Sequence, residues 1–206
     1  MVVNKRHVLR WMAATWVAGS AGVLSACKQE EPRASFNAID LTGSNAYGQD
    51  FSMPDQHGQR RSMADFKGKV VVLFFGYTQC PDVCPTTLSD LAAVKQQLGA
   101  KGEQLQVVFV TVDPARDTPD ILKAYMANFD PGFVALRGSD EELAKMAKDF
   151  KIYYKKVDGK TPTSYTMDHT AGDYLLDPAG RLRLYSRYGT SVDALAHDIE
   201  QLIDGA

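Results

Sequence analysis

The sequence predicts an α/β domain, a central mixed sheet flanked by helices. Three observations carry that expectation. Residues 70–75 (Val-Val-Val-Leu-Phe-Phe) and 105–112 are continuous β-branched and apolar runs, as expected of strands buried on both faces. Each run is followed by apolar residues at helical spacing. Late in the chain, two short apolar runs flank Asp177-Pro178-Ala179-Gly180, a hairpin signal.

The elements follow in order. Residues 36–39 and 50–53 read as short strands joined by a Gly/Asn-rich connection. Asp55-Gln56-His57-Gly58 is a turn and 60–63 returns from it, which adds a small N-terminal β-hairpin to the main sheet. After strand 70–75, Leu88, Leu91, Val94 and Leu98 define a helix over 86–98, with Pro85 suited to its first turn. After strand 105–112, Thr118 can cap a helix that has Pro119 at its first position. Ile121, Leu122, Tyr125 and Phe129 are its expected apolar face. Residues 133–136 are a short strand and 141–150 a helix. Strands at 152–157 and 165–167 enclose a polar loop at 159–162. Strands 173–176 and 182–185 form the late hairpin, and 191–203 closes the chain as an amphipathic helix. Strand, helix, strand, helix, late hairpin and final helix is the thioredoxin-like order. In an open sheet of this kind, sites form beyond the carboxyl ends of the strands.

The N-terminus reads as an export signal over residues 1–26. Lys5, Arg6 and Arg10 form a basic region, and no charge follows from Trp11 to Ala26. The stretch is too short to span a bilayer comfortably as a mature helix. It ends in Leu24-Ser25-Ala26-Cys27, which resembles the bacterial lipobox, in which the cysteine carries the lipid. Residues 4–10 faintly resemble a twin-arginine export signal. Residues 27–35 are then the lipidated Cys27 and a polar tether, and 36–206 a single domain large enough for one substantial core. The whole chain carries a net −2. Removal of the leader takes away three basic and no acidic residues and leaves −5. A chain of that sign is a poor nucleic-acid binder.

Of three cysteines, lipidation of Cys27 leaves Cys80 and Cys84. They lie at the first strand-to-helix junction. Both are expected in the loop, exposed and close together at a helix N-terminus, whose partial positive charge favours thiolate. A structural disulfide closing so short a loop would add little chain-entropy stabilisation. That leaves thiol–disulfide exchange or capture of a soft metal ion. His169 stands near the end of a late apolar segment that can approach the dithiol in this layout. His57 lies in a turn, His197 lies among acidic residues on the last helix, and His7 leaves with the leader.

Three motifs together resemble the Sco/SenC family. They are Gly76-Tyr77-Thr78-Gln79-Cys80-Pro81-Asp82-Val83-Cys84-Pro85, Asp113-Pro114-Ala115-Arg116-Asp117-Thr118-Pro119 and Asp168-His169-Thr170. The resemblance implies a membrane-tethered copper protein of thioredoxin-like fold. Such a protein assists assembly of the dinuclear copper site of cytochrome c oxidase, whose copper-binding subunit is then the expected partner. Other copper chaperones and thioredoxin-like reductants are further candidate partners. Carried over by position, Cys80, Cys84 and His169 are the copper ligands. The lipobox departs from the transmembrane anchor of many relatives. Either anchor leaves the domain facing the periplasm or another extracytoplasmic space.

The residue types agree with that implication. Two thiolates and an imidazole suit Cu(I), and can hold Cu(II) with an added ligand. Structural zinc usually takes four ligands, and three are evident. Asp82 is either a tuning charge or a solvated carboxylate. Asp113, Arg116 and Asp117 are expected to brace the loop beside the site, and Met53 and Met167 to serve in packing. The alternative to copper carriage is a thiol–disulfide oxidoreductase, with Cys80 and Cys84 as its redox pair acting on the same target. Such an exchanger needs no distant histidine. A peroxidase is disfavoured: the Pro-x3-Thr/Ser-x2-Cys pattern is absent, because Tyr77 and Pro81 stand where Thr or Ser is required.

Overall fold

A computed structural model describes residues 35–48, 50–161 and 164–206. The expected leader, Cys27 and the tether before Ser35 lie outside these residues. Among the described residues, no helix is long and apolar enough to cross a membrane.

The chain begins with β1 (Ile39–Asp40) and a hairpin of β2 (Ser52–Pro54) and β3 (Arg60–Ser62). The hairpin is the expected N-terminal extension. Next comes β4 (Val70–Gly76), in which every residue is buried, then α1 (Val83–Gln97) and the equally buried β5 (Leu105–Thr111). β4 and β5 pair in parallel from Val70↔Leu105 to Gly76↔Thr111, as two apolar runs with both faces covered should.

α2 (Pro119–Met126) and β6 (Val134–Leu136) complete a second parallel crossover. Then follow α3 (Asp140–Phe150), β7 (Tyr154–Asp158), β8 (Tyr165–His169), β9 (Gly172–Leu176), β10 (Leu182–Arg187) and α4 (Val192–Ile203). β9 runs antiparallel to β4, and β10 antiparallel to β9. Their turn is closed by the Asp177 carboxylate, which accepts from Ala179 and Arg181 N–H, and by Gly180 at φ +81°. The six-stranded order is β1-β10-β9-β4-β5-β6. This is the expected thioredoxin-like mixed sheet, and it aims the carboxyl ends of β4 and β5 at one rim.

Two local expectations change, and one pairing is new. α1 begins at Val83, three residues early, so Cys84 lies inside its first turn. Pro85 permits this, because first-turn N–H groups have no intrahelical partner to lose. In α2, Thr118 caps as expected, its Oγ1 accepting from Ile121 N–H. Ile121, however, is 43% exposed, and Leu122 and Met126 form the buried face. The helix stops at Met126, so the stripe through residue 129 is not helical. Finally, β7 and β8 pair only with each other, as a separate two-stranded sheet.

Asp173 is an oddity of the core. It is buried on β9 directly opposite Ser186 of β10. Neither Asp173 Oδ1 nor Ser186 Oγ has a hydrogen-bond partner among the described residues. Both line a small cavity with Thr87 and Asp90 of α1 and with Arg187. Burial, and then the Asp90 charge, push the Asp173 pKa up to about 7.

Candidate metal centre

The end of β4 builds the site. Gly76 is needed there for space: a Cβ would lie 2.8 Å from both Cys84 Sγ and the Phe109 ring. Cys84 therefore packs its sulfur directly onto the strand. Asp82 is the N-cap of α1 but makes no side-chain cap bond. Cys80 Sγ serves instead, accepting the Cys84 N–H at 3.4 Å. The loop entering α1 thus sets the two thiols together, and both are free.

His169 comes from the other sheet. It ends β8, half-buried, with Tyr77 edge-on at 5.9 Å between ring centroids and Phe74 at 6.3 Å. Its Nδ1 lies 3.0 Å from the Thr170 carbonyl oxygen, which can only accept, so the proton sits on Nδ1. Nε2 then presents a lone pair 3.5 Å from Cys84 Sγ. Burial holds the imidazole pKa below its ordinary value and so keeps the ring neutral. A neutral ring oriented by a carbonyl is the state in which histidine ligates metals. The donor atoms of Cys80, Cys84 and His169 all lie within 4.8 Å of one another, forming a partly buried soft-donor trio.

The expectation of an exposed pair of acidic thiols is corrected for Cys84. It is fully buried, and burial pushes its pKa well up, outweighing the helix end. Cys80 remains half-buried.

The second motif braces both halves. Asp117, buried, accepts from Thr78 N–H at 3.1 Å, Thr78 Oγ1 at 2.6 Å and Thr111 Oγ1 at 2.5 Å. Burial raises its pKa. Arg116 pairs with Asp113 through Nε, and its Nη1 donates to Gln79 Oε1 and to the Tyr165 carbonyl. The guanidinium stacks 3.5 Å over the Tyr165 ring, whose hydroxyl donates to Asp113. One side chain thus ties the cysteine loop to the first residue of β8. Asp82 and His57 are exposed, Met53 is core, and Met167 is half-buried. His197 contacts Asp198 and Asn37, away from this cluster.

The SCO1/SenC pattern matches residues 39–204. The chain belongs to the SCO1/SenC family. It is 37% identical over 166 residues to protein sco1 of Schizosaccharomyces pombe, covering 78% of this chain and 63% of that protein. The match thus spans less than two thirds of that relative. Identity to the mitochondrial SCO2 homolog of Bos taurus is 34% over 188 residues, 89% of this chain and 71% of that one. Among solved structures, copper-bound ScoI of Bradyrhizobium japonicum superposes with a TM-score of 0.70 at 39% identity, covering 76% of this chain and 99% of that one.

In this SCO1/SenC member, sequence reasoning missed Tyr125 as more than an apolar residue. Its hydroxyl is buried without a hydrogen-bond partner among the described residues, and its pKa is raised by burial and then by the nearby Cys84 and Cys80. No local pattern marks such a residue; only the packing of α2 against the site reveals it.

Proposed function

We propose that this protein carries copper. In this reading Cys80, Cys84 and His169 bind Cu(I) or Cu(II), and the metal passes by ligand exchange to the dinuclear copper site of cytochrome c oxidase. The observation that carries the reading is the convergence of two sulfurs and a correctly oriented imidazole within 4.8 Å. The copper-bound state of the similar Bradyrhizobium protein supports the metal, and the family resemblance supports the target. The test is metal analysis of the chain without its leader and Cys27. The reduced form is expected to bind one copper. Oxidation to the disulfide removes two protons and two electrons and leaves no thiolate donor, so Cu(I) binding is lost. Undiminished Cu(I) binding by the oxidised form would sink the assignment.

The second reading is reduction of the target's cysteines by Cys80 and Cys84. The adjacency of two free thiols favours it. The oriented His169, which exchange does not need, favours copper carriage.

The proposal extends to export and anchoring through Cys27, with the domain on the extracytoplasmic side. Fatty-acid labelling of the whole chain should be lost in Cys27→Ala. Equal labelling of parent and variant would place the lipid elsewhere. More than one acyl chain on such a cysteine suits stable attachment.

A further inference from the structure

The small cavity between β9, β10 and α1 gathers polar groups that nothing answers. Asp173 is 5% exposed and Ser186 is fully buried. They stand directly opposite each other on antiparallel strands, so their side chains share one face, about 5 Å apart at Cβ. A serine hydroxyl so placed is the natural donor to the carboxylate beside it. That bond is not made: among the described residues neither Asp173 Oδ1 nor Ser186 Oγ has a hydrogen-bond partner. Both line the gap that α1 leaves over them.

α1 supplies the other wall. Its Thr87 and Asp90 lie three positions apart, on one helix face, and line the same cavity. Among the described residues neither Asp90 nor Asp173 forms an ion pair. Two carboxyl groups therefore face one small space, and the Asp90 charge acts on Asp173 as repulsion. Arg187 lines the cavity but is exposed, and its charge is not among those that act on Asp173. Leu195 of α4 adds an apolar stretch of wall.

The space has room for about one water-sized occupant. A water can satisfy the hydroxyl, but it leaves two negative charges facing each other away from bulk solvent. A cation satisfies the hydroxyl and both charges. All the side-chain donors are oxygens, which suit a hard cation rather than copper. Two carboxylates balance a divalent ion. With both of them bidentate, the four side chains supply six oxygens, within the range of about six to eight that calcium takes. Magnesium demands near-ideal octahedral geometry and keeps several waters, for which this gap has no room.

We propose that this cavity is a calcium site, with Asp173, Ser186, Thr87 and Asp90 as its oxygen donors. None of the four belongs to the thiol–imidazole cluster, and the proposal does not rest on the copper-carrier reading. An ion held here joins α1, whose first turn carries Cys84, to β9, the strand that follows His169.

The experiment uses the full chain, brought into calcium-free buffer, with calcium chloride as the probe. Calorimetric titration at pH 8 should give one calcium per chain with a Kd on the order of 10⁻⁴–10⁻³ M, the range of weak oxygen sites. At pH 5 a proton holds Asp173, whose pKa is about 7, and the affinity should fall by about 100-fold. The melting temperature at pH 8 should rise with calcium. Asp173→Asn should fold, bind no calcium and show no such rise. Asp90 is half-buried on α1, so Asp90→Asn leaves the core untouched; it should weaken binding about tenfold or more. Equal rises with magnesium or sodium chloride at matched ionic strength would show screening of surface charge and overturn the site. A calcium response that survives both substitutions would also overturn it. So would no response in the parent, which would leave water or the Arg187 side chain in the gap.

Discussion

His169→Ala is expected to weaken Cu(II) binding by at least about 100-fold, beyond the range seen when a supporting outer residue is lost. Cu(I) affinity should fall less, because two thiolates can hold Cu(I) alone, whereas Cu(II) favours a fuller tetragonal set. Disulfide formation between Cys80 and Cys84 should survive. Their approach is set where the loop enters α1, by the Cys84 N–H donating to Cys80 Sγ, without help from a residue on another sheet. Chelator competition for both copper states, alongside thiol oxidation in a redox buffer, reads the three quantities. Unchanged affinity for both copper states would remove His169 from the site and put the thiol exchanger first. Loss of disulfide formation would instead make the histidine a support for the loop.

Asp173→Asn should stabilise the protein progressively as pH rises above 3.8, most above neutral pH, and change little below 3.8. The folded-state pKa is raised from 3.8 to about 7. Below 3.8 the carboxyl is protonated in both folded and unfolded chains and contributes nothing. Between 3.8 and about 7 the unfolded chain releases its proton while the folded one keeps it, so stability falls as pH rises. Above about 7 the folded state carries the full cost of a buried carboxylate. At 1.36 kcal/mol per pKa unit, that cost is on the order of 4 kcal/mol. The facing groups do not remove it: Asp90 adds repulsion, and among the described residues Ser186 Oγ makes no hydrogen bond and Arg187 lines the cavity without an ion pair. For a chain of this size, about 2–4 °C in Tm accompanies each kcal/mol, so the Asn variant should melt roughly 10 °C higher at pH 8. Thermal melts of parent and variant from pH 5 to pH 8 decide it. Parallel curves would show that Asp173 keeps no raised pKa.

The sheet could be read in the sequence because its signals are local. The β-branched runs of β4 and β5, the Asp177–Gly180 turn and the Thr118-Pro119 cap each declare themselves within a few residues. The cysteine pair is equally local. His169 is not: it lies 85 positions from Cys84, and its place near the dithiol followed only from the expected layout and from the resemblance. The burial of Cys84 also escaped, since it depends on Gly76 and Phe109 meeting over one helical turn. Ile121 misled because its spacing suits a helix longer than α2. Tyr125 and Asp173 are ordinary in sequence and become unusual only through missing hydrogen-bond partners.

Cys84 packs against the fully buried β4, whereas the imidazole stands on an outlying pair of strands with mostly exposed side chains. Local opening costs least where few apolar contacts must break. The third donor can therefore be withdrawn by loosening that outlying pair, with β4 and α1 left intact. In the proposed copper carrier, tight holding and quick release, which oppose each other in a rigid cage, would thus fall to different parts of the chain.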